Sequence, residues 1–210
     1  MKPISEYNFR EIVGKYLIIE NTSIDPNHNK YIGYCYIDTE AGISIRIVGK
    51  YIEGEHVVEL NIDKLYIFRY NSDMMVEIFN GTNEALDAIK DNIDAIYMCT
   101  GIESLRDNIE YDPYRDKQFP DDMLLVVATL IENNIEFELL WVRPLEINEN
   151  GNVFGQTIES GRIISEGTNI AIMNSKILGG KEIFDLPNII AIDQNVANYL
   201  SEKIQEEKNV

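Results

Sequence analysis

The chain has 210 residues, 45% of them hydrophobic and 26% charged, with a formal net charge of −18 and a pI near 4.4. That apolar content can build a core, in one large domain or two small ones, and excludes a wholly disordered chain. A negative field of this size keeps a protein in solution, repels nucleic acid and anionic membrane, and attracts basic proteins.

Residues 1–50 are neutral, with six acids and six bases, whereas residues 51–150 carry twenty-two acids and seven bases. Isoleucine supplies about one residue in six, and β-branched side chains favour strands. After a short polar lead, KYLIIEN (15–21) reads as a strand, and SIDPNHNK turns the chain on Asp25-Pro26. YIGYCYID (31–38) and ISIRIVG (43–49) alternate and flank TEAG, the clearest hairpin of the sequence. HVVELNI, KLYIFRY and MMVEIF continue a mostly antiparallel sheet.

The pattern changes after Phe79. Thr82 or Asn83 caps a helix whose Ala85, Leu86, Ile89 and Ile93 recur at helical spacing, and AIYMCT follows as a short buried strand. PDDMLLVVATLIENN is expected to be a helix. Pro120 and Asp121 start it, Asp122 sits in its first turn, and Asn133-Asn134 stop it; the competing reading is the first arm of a hairpin. IEFELLWV (135–142) is a strand and NENGN a turn, and short strands fill 153–178. A last strand runs into a helix capped by Asp193, with Val196, Ala197, Leu200 and Ile204 as its apolar stripe. The expected fold class is α+β: a β-rich antiparallel N-terminal half over 1–80 and a mixed α+β half over 81–210, with no linker between them.

Signals for chemistry are sparse. No apolar stretch follows the lysine of MKPISEYNFR, and no apolar run reaches the roughly 20 residues of a membrane span. The chain therefore reads as soluble and cytoplasmic, with Cys35 and Cys99 reduced and packed in apolar stretches. A Cys99/His56 pair would make a thiol nucleophile with its base, although nothing in the sequence makes the two neighbours, and His28 lies in a polar turn. Zinc spacing, a calcium loop and GxSxG are absent, and Gly179-Gly180-Lys181 falls short of a phosphate loop. No catalytic residue, metal or cofactor is assigned.

The densest acidic stretch is DNIEYDPYRDKQFPDD (107–122). Asp107, Glu110, Asp112, Asp116, Asp121 and Asp122 surround Tyr111 and Tyr114, with Arg115 and Lys117 as the only bases. A solvated loop, a carboxylate site and a binding surface all fit such a run. The tyrosines favour binding, because tyrosine gives contact area at low entropy cost. Carboxylates around them raise association rate and specificity toward a basic partner. The candidate partner-binding set is those six acids with Tyr111, Tyr114 and Phe119.

LIENNIEFELLWVRPLEINENGN and GGKEIFDLPNIIAIDQNVANYLSEKI give helix end, strand, turn, an IF-D-L element, an apolar strand and a closing helix. Over residues 120–210 this order resembles immunity proteins of bacterial polymorphic toxin systems. Asp185 stands where that pattern has arginine, and AIDQ where it has a VSE-like strand end. The resemblance implies a non-enzymatic inhibitor that binds a toxin. The leading expectation is thus an acidic cytoplasmic binding protein of inhibitor or immunity type. Its partner would be a basic toxin, nuclease or other nucleic-acid-binding protein, met by nucleic-acid mimicry, with no direct nucleic acid or membrane. Two alternatives stay open: an enzyme with a carboxylate-lined or Cys99-centred pocket, and a phage or other structural assembly protein.

Overall fold

The computed structural model describes residues 1–25, 27–52, 58–59, 66–81, 84–178 and 186–208. The fold is α+β with a β-rich N-terminal half. Two compact units divide it: residues 1–99 with 117–120, and residues 100–116 with 121–210.

The first unit opens with β1 (Lys2–Pro3), a 3-10 turn (Ile4–Glu6) and α1 (Phe9–Ile12). The polar lead is therefore partly helical. Asn8 and Glu11 close a capping box on α1, and Ile4 and Ile12 are buried. The long strands follow: β2 (Tyr16–Asp25), β3 (His28–Asp38) and β4 (Gly42–Tyr51), then the short β5 (Val58–Glu59), β6 (Ile67–Arg69) and β7 (Met75–Ile78). They form an antiparallel sheet in the order β1-β7-β2-β3-β4-β5, with β6 also paired to β4. Asp38 shapes the turn between β3 and β4, accepting from the N–H of Glu40 at 2.9 Å and of Ala41 at 3.2 Å.

Strand alternation sends apolar side chains to both faces. Leu17, Ile19, Tyr31, Cys35, Ile43, Ile45, Ile47 and Val76 pack on one face with Ile4 and Ile12. Ile32, Tyr34, Tyr36 and Val48 pack on the other against Leu86 and Ile93 of α2 (Glu84–Tyr97). The expected strand AIYMCT is not formed: its first three residues are the last turn of α2, because Tyr97 continues the stripe of Ile93 one turn on, and Met98, Cys99 and Thr100 follow the helix. That helix belongs to the first unit's core.

The second unit holds α3 (Glu103–Asp107), a 3-10 turn (Ile109–Tyr114), β8 (Met123–Ile131), β9 (Asn134–Ile147), β10 (Val153–Thr157), β11 (Asn169–Asn174), a 3-10 turn (Ser175–Leu178), β12 (Ile189–Asp193) and α4 (Gln194–Lys208). The strands close a barrel, β10-β11-β12-β8-β9, in which β12 runs parallel to β8 and the other pairs are antiparallel. The expected helix over 120–134 is thus corrected to a strand. Val126, Val127, Thr129 and Ile131 are β-branched, and β8 pairs with β9 from Met123↔Val142 to Ile131↔Asn134. Glu132 (φ 47°) and Asn133 (φ 69°) form the two-residue turn, both left-handed as a type I′ hairpin requires. Along β8, Ala128 packs outward with Ile190, Ile192 and Val196, and the alternate residues Met123, Leu125 and Val127 are fully buried by the pleat on the barrel side. The Asp193 cap is present: its Oδ1 accepts from the Val196 N–H at 2.9 Å, and its Oδ2 from the Thr129 hydroxyl at 2.5 Å.

Among the described residues no helix is long and apolar enough to cross a membrane. Thr82, Asn83, His56, Gly179-Gly180-Lys181 and Asp185 lie outside the described residues, as does the side chain of Ile204.

Candidate functional site

The acidic stretch begins on α3 and ends at the start of β8. Asn108 caps its 3-10 turn, with Oδ1 accepting from the Glu110 N–H at 3.0 Å. The Arg115 guanidinium reaches back to donate to the Leu105 carbonyl at 2.5 Å, and its Nε lies 3.5 Å from Asp112 Oδ1. The Asp116 N–H donates to the Asp122 carbonyl at 3.1 Å, and Arg115 bridges to Met123.

Two arginine–carboxylate forks lock this loop. Arg106 of α3 donates through Nε and Nη2 to Asp121 at 2.9 and 2.7 Å. Arg143 of β9 donates the same way to Asp122 at 2.6 and 2.8 Å. Arg106, Asp121 and Asp122 are all buried. Planar two-point pairing of this kind is the strongest side-chain contact available to a carboxylate. Burial pushes the Asp122 carboxyl above the usual carboxylate range; Asp121 and Asp116 add to that rise while the Arg143 fork opposes it. Burial likewise raises the Tyr111 phenol, which is 9% exposed.

The nine expected contact residues therefore separate. Tyr111, Asp121 and Asp122, three of the residues expected to bind a partner, are buried, and both carboxylates fork onto arginines. Phe119 lies in the segment that belongs to the first unit. There the Ile43 N–H donates to the Gln118 carbonyl at 2.7 Å, and a side chain on Gly42 (φ 72°) would collide with that carbonyl at 2.3 Å. Asp107 and Glu110 are exposed, and Asp112, Tyr114 and Asp116 are half-buried.

No protein-family model, curated protein or solved structure matches this chain. The site must be read from its own geometry. Glu110, Pro113 and Tyr114 form one wall of a cleft of about 310 Å³; Asn174, Lys176, Asn188 and Ile189 form the other. The cleft offers one acid, one base, two amides and one phenol, a set suited to recognition. Among the described residues no group of three or more His, Cys, Asp or Glu gathers around a point that could hold a metal. Cys35 is fully buried, and burial holds its thiol far above the thiolate range; Cys99 is half-buried. The acid pair Asp121/Asp122 is committed to its arginines.

Sequence reasoning missed Arg106 and Arg143 as organisers of the stretch. Their signal was present: a segment of twelve acids and four bases between 101 and 150 leaves each base a choice of carboxylates. Which carboxylate each takes depends on the strand pairing that carries Arg143 to Asp122.

Proposed function

We propose that this chain is an acidic cytoplasmic binding protein of the inhibitor or immunity type, engaging a basic protein surface such as that of a toxin, a nuclease or another nucleic-acid-binding protein. The observation that carries this reading is the fixed 3-10 turn over 109–114. The Arg106–Asp121 fork pairs the residues that flank it, the Arg143–Asp122 fork ties the end of the stretch to β9, and Arg115 reaches back to Leu105; the turn places Glu110, Pro113 and Tyr114 along an open cleft. A preorganised turn of this kind loses little entropy on binding. Asp107, Glu110, Asp112 and Asp116 supply the steering charge and Tyr114 the contact area. Carboxylates on a rigid frame could occupy a site that otherwise contacts phosphates, which is how the mimicry would work.

The test is affinity capture from the native host with the parent chain and with Glu110, Asp112 and Tyr114 all changed to alanine. The reading expects a basic protein that the parent retains and the triple variant loses. An unchanged set of captured proteins removes the turn from the binding surface.

A further inference from the structure

In the first unit, β3, β4 and β6 align two neighbouring rows across the sheet: Tyr34–Arg46–Ile67 and Tyr36–Ser44–Arg69. Tyr34 and Tyr36 pack beneath α2, so by the pleat both rows leave the sheet on the α2 face, with Tyr36 and Arg46 as diagonal neighbours. Arg69 is anchored: its Nη1 donates to Asp38 Oδ2 at 2.9 Å and to Ser44 Oγ at 2.6 Å, which leaves Nη2 and Nε. The half-buried Arg46 guanidinium, by contrast, makes no hydrogen bond or ion pair among the described residues. The chain has thirty-six acids for eighteen bases, so a guanidinium without a carboxylate runs against its whole charge balance.

A second observation falls in the same place. The Tyr36 hydroxyl is buried and has no hydrogen-bond partner among the described residues. Its ring is held between Tyr34 and Tyr97, with centroids 6.4 and 5.3 Å away. Buried hydroxyls are nearly always paired, because an orphan loses its hydration for nothing. Burial pushes this phenol up to about 12; Asp38 adds to the rise, and Arg69 and Arg46 are near enough to oppose it. At neutral pH the group is therefore a donor.

We propose that Arg46, the Tyr36 hydroxyl and the remaining N–H groups of Arg69 form an oxyanion site that binds a phosphate group, with Asp38 and Ser44 positioning Arg69. A phosphate suits the donor set. One guanidinium fork already fills the two oxygens of a carboxylate, whereas a phosphate has further oxygens for a phenol and a second arginine. Arg69 keeps its side chain 47% exposed, so the open side lies toward β6. The site is independent of the acidic turn and of any protein partner.

Titration of the full chain with inorganic phosphate at constant ionic strength, read by calorimetry and by thermal unfolding, tests this. Phosphate should bind saturably and raise Tm, and acetate should not. Arg46→Gln should weaken phosphate binding about tenfold or more, as loss of a charge-assisted fork implies. Tyr36→Phe removes only an unpartnered hydroxyl. It should fold at least as well as the parent without phosphate and bind phosphate about threefold to tenfold more weakly. Absence of a saturable phosphate effect, an equal effect of acetate, or unchanged binding in a folded Tyr36→Phe chain would each overturn the assignment.

Discussion

Asp121 and Asp122 stand side by side between a proline and a strand, and each forks onto an arginine from a different element. Removing one partner of such a pair leaves the other charge buried alone. Asp121→Ala should therefore cost about 3–5 kcal/mol in urea unfolding, and joint replacement of Arg106 and Asp121 by Met and Leu should recover most of it. Asp107→Asn, on the exposed end of the same stretch, should leave the unfolding midpoint where it was. Glu138 shows the opposite electrostatic case. Burial pushes its carboxyl up, but the amides of Ile163, Ile164 and Arg162 outweigh that and hold it below the usual glutamate range. A depressed carboxylate adds stability above its unfolded value and loses it as pH falls through its folded value. The parent's unfolding midpoint should thus fall below about pH 4.3 by an increment that Glu138→Gln lacks.

At the scale of elements, β8 and its turn depend most on tertiary pairing. MLLVVATLI offers apolar residues on both faces, since one side fills the barrel and the other packs under α4. Such a run has no period of its own, and flanking residues alone suggested a helix. Only the pairing with IEFELLWV decides it. The turn offers a direct check: Glu132 sits at φ 47°, where a side chain costs about 1 kcal/mol that glycine does not. Glu132→Gly should raise Tm in a thermal melt; a fall would contradict the hairpin. A second check lies at the β9–β10 irregularity. Gly155 pairs with Pro144, and a Cβ there would sit 2.2 Å from the Arg143 carbonyl. Proline is tolerated at this point because the register shifts beside it. Gly155→Ala should push β10 off β9 and lower the unfolding midpoint. Short-range features were legible. TEAG, the β3–β4 hairpin, the stripe of α2 and the Asp193 cap follow from local residues, because hairpin turns and helix caps are short-range devices.

For the whole molecule, the −18 charge is the widest-ranging property. Affinity for a basic partner steered by it should weaken steeply between 0.1 and 1 M salt, as the Debye length contracts from about 10 to about 3 Å. A flat salt profile, measured by equilibrium binding, would remove steering from the account. Sequence alone determined the α+β class, the strand-rich first half and the location of the acid excess, because composition and period-2 alternation register directly in the residues. Tertiary structure decided which acids remain available: Asp121 and Asp122 turn inward because strand pairing and α3 bring Arg143 and Arg106 to them. It likewise put Tyr36, Arg46 and Arg69 on one face, since cross-strand neighbours far apart in the chain leave no local trace.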